Sequence, residues 1–292
     1  MTLEQFTTLA VNGLANGAIL ALAALGFVII FKATGVINFA QGQFLLIGAY
    51  VIYAGVVTFG LPWPIAVLAS LAVAGGLGLL VERLVLRPMV GERPIAVIMV
   101  TIGLGAFLQA AVQIIWGTRP RPFPAFIPRG TVELAGATVP VDRLVAVGVA
   151  AAVLALFSWF FRFSRTGIAM RAVADDQQAA LTMGISVRRV FAVSWALAAI
   201  SAAIGGALVA NIVGISGVLV LYGLAVFPVV ILGGLDSIPG TAAGGMIIGL
   251  LITFTAGTIG MGLQAVIPFV AIVLMLMVKP YGLFGQVEID RV

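Results

Sequence analysis

Cysteine and histidine are both absent from this chain of 292 residues. Without cysteine no disulfide or thiolate metal site forms, and without histidine the commonest metal ligand and proton shuttle is missing. Charge is also scarce, since 9% of the residues are charged against about 25% in soluble domains. The net charge of +5 is spread over predicted loop ends, which indicates membrane orientation and not nucleic-acid binding. We therefore expect no bound metal and no nucleic-acid partner.

Six long stretches without Asp, Glu, Lys or Arg take up most of the chain. They cover residues 5–31, 33–81, 94–118, 144–161, 190–235 and 237–278. A helix needs roughly 20 apolar residues to cross a bilayer, so three stretches hold one crossing and three have room for two. Continuous apolar runs favour helices over a barrel, the other fold that satisfies its backbone in lipid. The sequence predicts an all-α integral membrane protein, a polytopic bundle of about 8–9 transmembrane helices with eight if one segment is broken or re-entrant.

Breaks within these stretches place the individual spans in a single domain over residues 1–292. The spans are expected at about 9–31, 41–59, from the turn 60–64 to 81, 94–116, 144–161, 190–213, 218–232, 240–256 and 262–278. Weak alternation over 131–139 favours a small β-hairpin in the loop 117–142. In the loop 162–189 we expect one helix over 169–183 that ends at Gly184, because glycine is the usual C-cap. Glycine pairs at four-residue spacing, such as Gly13 with Gly17, favour close helix packing.

Basic residues divide unevenly between the two sides of this arrangement. With the N-terminus outside, eleven lysines and arginines fall in inner loops and four arginines in outer loops. The positive-inside rule therefore favours an outer N-terminus and a cytoplasmic C-terminus, although the four outer arginines oppose it.

The predicted span cores contain no carboxylate, lysine or histidine. Ion-coupled carriers usually place such groups inside the membrane, so proton coupling has little to act on, whereas sodium coupling through backbone carbonyls stays open. A phosphate-binding loop needs Gly-Lys-Ser/Thr, and the only lysines are Lys32 before Ala33 and Lys279 before Pro280. We therefore expect no catalysis in this chain. If nucleotide drives transport, we expect a separate ATPase subunit to dock on an inner surface of this chain.

The loop 162–189 is the candidate docking surface. A short helix with charges at both ends and a modestly apolar side suits a groove on a partner, but the pattern fits a solvated connector equally well. The residues that we assign to this ATPase coupling loop are Arg171, Ala174, Asp175, Ala180, Leu181 and Gly184.

Several motifs, in order along the chain, are similar to those of one known family. Residues 38–50 read NFAQGQFLLIGAY, residues 233–240 read GGLDSIPG and residues 279–285 read KPYGLFG. Together with residues 12–22 and 171–185, they resemble branched-chain amino acid ABC transporter permeases of the LivH type. Three positions depart from that pattern: the family often has His at Gln41, Glu at Gln43, and Gly or Ser at Asp236. The first two departures argue against protonation in this region, and all three leave the substrate open.

The resemblance implies a subunit of an ATP-driven importer in the bacterial plasma (inner) membrane. Its expected partners are a second homologous permease subunit, two cytosolic ABC ATPase subunits and an extracytoplasmic substrate-binding protein, with loop 117–142 as a candidate contact for the last. ATP is used by the partners, and no cofactor is bound by this chain. Family substrates are branched-chain amino acids and, in relatives, other amino acids, urea or small amides. A secondary carrier or a passive channel for a neutral solute such as urea is the alternative, and a structural scaffold is a third class.

Uncharged amides suit the path of a zwitterion, because they guide it without trapping it. The candidate substrate-path residues are Asn12, Asn16, Asn38, Gln41 and Gln43. Helix capping and interhelical hydrogen bonding are the alternative roles of these amides. A late Gly/Pro knuckle comprises Gly233, Gly234, Asp236 and Pro239. Asp236 has two possible roles. It contacts the ATPase side or an arginine of the partner permease, or its carboxylate caps the turn; the adjacent Ser237 and Pro239 favour the turn-capping role.

Overall fold

The computed structural model of this chain describes residues 2–124, 126–127, 130–134, 137–260 and 262–285. Helices occupy the predicted apolar stretches, because helical hydrogen bonds satisfy the backbone where side chains offer no partners. In chain order they are α1 (Leu3–Thr34), α2 (Gln41–Tyr53), α3 (Trp63–Val81), α4 (Pro94–Trp116), α5 (Val141–Phe163), α6 (Arg165–Asp175), α7 (Gln177–Thr182), α8 (Val187–Val213), α9 (Val218–Gly233), α10 (Ile238–Thr258) and α11 (Ile267–Val278). Two strands, β1 (Thr131–Leu134) and β2 (Ala137–Pro140), lie between α4 and α5.

The described helices include seven that are long and apolar enough to cross a membrane. Two further apolar helices are shorter: α9, and the segment Leu263–Val278, in which a 3-10 turn, Leu263–Ala265, precedes α11. A π-helical turn, Ala54–Thr58, extends α2, and α3 continues through another, Glu82–Leu86, into a 3-10 turn, Arg87–Met89. The predicted class of all-α polytopic membrane protein is confirmed. The number of crossings and the extent of the domain stay predictions.

Helix α1 is the central element of the bundle. Thr2 and Gln5 form a capping box at its start, and Gly35 ends it with a left-handed φ of 67°. Every residue from 17 to 30 is buried, with α10, α8, α5 and α9 packed around it. A helix that is apolar on all sides suits this enclosed position.

Glycines allow α1 and α10 to lie in close contact. A methyl group on Gly17 would lie 2.8 Å from the Cα of Met246, and one on Gly13 would lie 3.0 Å from the Cα of Leu250. On the opposite side of this contact, a methyl group on Gly245 would lie 2.9 Å from the backbone nitrogen of Ala21. The close packing expected from the spaced glycines is therefore confirmed for this pair of helices.

The segment between α5 and α8 is two short helices, so the prediction of one helix over 169–183 is wrong. The Asp176 carboxylate accepts hydrogen bonds from the backbone nitrogens of Gln178 (2.8 Å) and Ala179 (2.9 Å). Asp176 thereby caps the start of α7. Its own backbone is extended and not helical, so it separates α6 from α7. Gly184 ends α7 with a φ of 80°, as predicted.

The loop after α4 packs onto the bundle. Arg121 pairs with Ile215 through both backbone groups, and its guanidinium donates a 2.8 Å hydrogen bond to the carbonyl of Trp116. Farther along, β1 and β2 pair antiparallel with Val132 opposite Val139, which confirms the predicted hairpin.

Candidate functional site

A cavity of about 250 Å³, here called the Arg143 cavity, lies between α1, α8, α9, α10 and the start of α5. It is near the end of the bundle where α1 begins and α8 ends. Five polar residues from separate elements line it: Asn16, Arg143, Tyr222, Thr253 and Gln264. Packing of distant parts of the chain therefore assembles one polar site inside an apolar bundle.

The Arg143 cavity carries a positive charge that no carboxylate neutralises within the described residues. In that part of the chain the sole ion pair within 4.0 Å joins Arg87 to Glu82, far from Arg143 in sequence. The adjacent Asp142 carboxylate accepts a 2.8 Å hydrogen bond from the backbone nitrogen of Arg143. It therefore satisfies a backbone donor in the first turn of α5. Arg143 is half-buried and lines the cavity.

The rest of the cavity wall combines one hydrogen-bonded pair with aliphatic side chains. Tyr222 Oη donates to Asn16 Oδ1 at 3.4 Å, a long hydrogen bond. Branched aliphatic residues complete the wall: Ile19, Val209, Ile212, Val213 and Ile252. Chemically, the site suits a small molecule with an anionic group at one end and an apolar group at the other.

Sequence reasoning identified one of the polar residues that line this cavity. Asn16 was predicted on the substrate path and faces the cavity. Asn12 lies one turn earlier, and its Oδ1 is buried without a hydrogen-bond partner in the described chain. Arg143, Tyr222 and Gln264 were missed as site residues. The available signal was Arg143 itself, a cation at the start of an apolar span.

The other predicted path residues lie where α1 gives way to α2. Asn38 is in the linker, here called the first knuckle (residues 35–40), whereas Gln41 and Gln43 are in the first turn of α2. Asn38 is fully buried, and its Oδ1 accepts a 3.0 Å hydrogen bond from the backbone nitrogen of Ala40. Asn38 Nδ2 donates to Gln41 Oε1 at 3.2 Å, and Gln41 Nε2 donates to the carbonyl of Ala23 at 3.3 Å. These amides link the break in the chain to α1, the contact expected of their alternative role, and they do not line the Arg143 cavity.

Gln43 and Thr101 extend the polar contacts of the first knuckle toward α4. Thr101 Oγ1 accepts from the backbone nitrogen of Phe39 at 3.3 Å and lies 3.1 Å from the carbonyl oxygen of Ile37. Gln43 is buried and lies close to Gly105 of α4. Its Oε1 has no hydrogen-bond partner among the described residues. The function of Gln43 in a substrate path stays a prediction.

The predicted coupling loop presents both a buried and an exposed side. Ala180 is 3% exposed and belongs to the buried apolar core of the chain, as do Met170 and Val173. By contrast, Leu181 is 58% exposed and Met183 is 81% exposed. The remaining predicted coupling residues are also exposed: Arg171, Ala174, Asp175 and Gly184. The apolar group available to a partner is therefore Leu181 with Met183, whereas Ala180 is occupied within the chain.

The late knuckle connects α9 to α10, and the C-terminal segment packs on it. Leu283 N donates to the carbonyl of Leu232 at 2.9 Å, and Phe284 N donates to that of Gly233 at 3.0 Å. Gly234 has a φ of 110°, and a methyl group on it would lie 2.8 Å from the Cα of Gly285. Two motifs that are separate in sequence therefore form one structural unit.

Ser237, and not Asp236, caps the helix that follows the late knuckle. Ser237 Oγ accepts a 3.0 Å hydrogen bond from the nitrogen of Gly240, while Pro239 occupies the first turn of α10. Ser237 therefore fills the N-cap position of α10, and the role of Asp236 stays a prediction. Within the described chain the Asp236 carboxylate makes no ion pair within 4.0 Å.

A second cavity, of about 220 Å³, connects the coupling loop to the first knuckle. Gly35 and Ile37 line it together with the connection between α3 and α4. Gln177, the first residue of α7, and Trp195 of α8 line the same cavity. The predicted coupling loop and the break between α1 and α2 therefore face the same cavity.

Comparison with known proteins identifies relatives over nearly the whole chain. A family model described as branched-chain amino acid transport system / permease component matches residues 9–278. The high-affinity branched-chain amino acid transport system permease protein LivH of Salmonella typhimurium is 29% identical, over 96% of both chains. The corresponding protein BraD of Pseudomonas aeruginosa is 29% identical, over 97% of this chain and 96% of its own.

A solved structure supports the fold. A chain of PsaBC from Streptococcus pneumoniae, in complex with Fab, superposes with a TM-score of 0.50 at 13% sequence identity. The superposition covers 92% of this chain and 91% of that one. At this identity the likeness concerns the fold alone.

Proposed function

The chain belongs to the family of branched-chain amino acid transport permease components, and from this premise we propose that it is the membrane-spanning subunit of an ATP-driven importer for branched-chain or related amino acids. The observation that carries the proposal is the family match over residues 9–278. Relatives named for branched-chain amino acid transport align along 96% of the chain. This is a family of transport permeases and not of enzymes, and the described helices fit a multi-pass membrane protein.

In this proposal the energy comes from partner subunits. Neither lysine of the chain stands in a phosphate-binding loop, which agrees with ATP hydrolysis by two separate ABC ATPases. We assign their docking to α6 and α7, because Leu181 and Met183 expose apolar surface there beside the exposed Arg171 and Asp175. A protein groove that accepts a short helix uses such apolar anchors with charges at the rim.

The complete importer would contain a second homologous permease subunit and an extracytoplasmic substrate-binding protein. The chain would lie in the bacterial plasma membrane with its N-terminus outside, so that α6 and α7 face the cytosol. Substrate would cross by alternating access, with the Arg143 cavity open to the outer side. The cavity connecting α7 to the first knuckle offers a route by which ATPase movements reach the helices around the path.

Reconstitution tests this function directly. The chain is purified with its partner permease and ATPases, placed in proteoliposomes and supplied with binding protein outside and ATP inside. We expect leucine to accumulate against its gradient only when ATP is hydrolysed. Accumulation driven by an ion gradient without nucleotide would establish a secondary carrier instead. Fast, unsaturable flux of urea without nucleotide would establish a passive channel.

A further inference from the structure

We propose that the Arg143 cavity binds the carboxylate of a zwitterionic amino acid, with the Arg143 guanidinium and the Tyr222 hydroxyl as hydrogen-bond donors. This inference deepens the proposed function and rests on it. It names the chemical group by which the permease itself recognises its cargo, separately from any recognition by a binding protein.

The placement of Arg143 is the first reason. Burial of a charged side chain costs free energy, and Arg143, in the first turn of α5, is half-buried against this cavity. Charged residues of membrane helices that face a cavity usually mark a ligand or ion pathway. No acidic side chain of the described residues lies within 4.0 Å of Arg143 to offset that cost. A guanidinium matches a carboxylate through two parallel N–H donors, so a bound amino acid would supply the missing partner.

The Tyr222 and Asn16 pair supplies the second reason. The hydroxyl of Tyr222 is satisfied only by a 3.4 Å hydrogen bond to Asn16 Oδ1, at the far end of the normal range. It can turn to a carboxylate oxygen at little cost, which frees Asn16 Oδ1 as an acceptor. Thr253 and Gln264 line the same cavity, and their side-chain oxygens could serve as further acceptors for the α-ammonium group.

The aliphatic wall and the size of the cavity complete the match. Drug-sized ligands occupy pockets of roughly 300–1,000 Å³, so a cavity of about 250 Å³ suits a smaller molecule. Ile212 and Ile252 belong to a wall of branched aliphatic side chains against which an aliphatic substituent gains burial. Urea and simple amides have neither an anionic group for Arg143 nor an apolar group for this wall.

The absence of cysteine allows a direct test. Ala256 lines the cavity, so Ala256→Cys places the sole thiol of the chain in it. The complex containing this variant, with a cysteine-free partner permease and ATPases, is treated with a methanethiosulfonate reagent in proteoliposomes, with and without nucleotide. We expect L-leucine to slow the labelling, and leucinamide, which lacks the carboxylate, to protect far less. Thr118→Cys, exposed in the loop after α4, is the matched reporter and should label equally under all conditions.

Charge variants in the Ala256→Cys background complete the experiment. Arg143→Gln should raise the half-protecting leucine concentration at least about 10-fold, which corresponds to about 1.4 kcal/mol. Arg143→Lys should retain part of the protection, and Arg119→Gln, an exposed arginine, should retain all of it. Intact labelling of Thr118→Cys and an unchanged elution volume show that each complex is assembled.

The outcomes separate this inference from the proposed function. Equal protection by leucine and leucinamide, full protection in Arg143→Gln, or no labelling of Ala256→Cys in either nucleotide state would each overturn the assignment. Wild-type uptake driven by ATP would remain in those cases. Absence of ATP-driven uptake by the wild-type complex would instead contradict the proposed function. The labelling experiment would still decide whether the Arg143 cavity binds a carboxylate, because it measures binding and not uptake.

Discussion

Lys32 and Asp236 join the two knuckles of the bundle. The ammonium group of Lys32, in the last turn of α1, donates a 3.1 Å hydrogen bond to the backbone carbonyl oxygen of Asp236. The contact connects residues 204 positions apart in the sequence. Because the acceptor is backbone, Lys32 stabilises the path of the chain between α9 and α10 whatever side chain stands at position 236.

This contact predicts different effects for its two residues. Lys32→Met should lower the stability of the purified permease by about 1–3 kcal/mol, because a hydrogen bond from a charged donor is lost. Asp236→Asn keeps the backbone acceptor and should change stability little. Thermal unfolding in nanodiscs compares the two variants. A larger loss for Asp236→Asn than for Lys32→Met would show that the carboxylate, and not the backbone, carries the contact.

Glycine packing between α1 and α10 yields a second prediction. Gly17→Ala places a methyl group 2.8 Å from the Cα of Met246 and should cost about 1–3 kcal/mol through overpacking. Gly76→Ala is the matched control, since Gly76 lies exposed on α3 with no atom within 4 Å of the added methyl group. It should leave stability equal or higher, because alanine favours helix. Unfolding temperatures that fall equally in both variants would contradict this account of the packing.

The buried amide of Asn38 was assigned either to the substrate path or to hydrogen bonding within the bundle, and one substitution distinguishes the two roles. Asn38→Ala removes its hydrogen bonds to Gln41 and to the backbone of Ala40, and should lower stability by about 1–3 kcal/mol. Because Asn38 lines neither cavity, we expect the KM of leucine uptake to stay unchanged. Gln113→Ala, at an exposed amide of α4, is the control for loss of an amide side chain. A changed KM at unchanged stability would place Asn38 on the substrate path after all.

Docking at α7 is tested at residues that face outward. Leu181→Glu should weaken binding of the ATPases at least about 10-fold, while the permease keeps its unfolding temperature, because Leu181 is 58% exposed. Gln178→Glu adds the same charge at an exposed position of α7 and should bind normally. Ala180→Trp should instead destabilise the permease itself, since Ala180 is buried. Co-purification of the subunits measures the first effect, and normal ATPase binding by Leu181→Glu would remove this residue from the interface.

The positions of the helices were predictable because membrane insertion depends on local composition. The predicted span 94–116 coincides with α4, and a charge-free run needs no information from distant residues to be recognised. The break at Asp176 was missed, since the good helix propensity of the surrounding residues concealed a capping aspartate. Propensity is a sum over a window, whereas a cap acts at one residue.

The candidate site was predictable only in part. Asn16 was selected as an uncharged amide on a span, and it faces the cavity. From the sequence, Arg143 is one of the four basic residues of the outer loops, and no motif distinguishes Tyr222 or Gln264. Their significance depends on sharing a cavity with residues of α1 and α10, more than 100 positions away in the case of Arg143 and Ile252. No local pattern contains that relationship.

The amino-acid sequence by itself determined that this protein is a helical membrane protein, where its long apolar helices lie and to which family of permeases it belongs. Those properties follow from hydropathy and motifs, which are read residue by residue along the chain. Tertiary structure alone decided which polar groups share a cavity, that Ala180 faces inward while Leu181 faces outward, and that Lys32 reaches the late knuckle. These are consequences of helix packing, in which glycine contacts between distant segments set which faces meet.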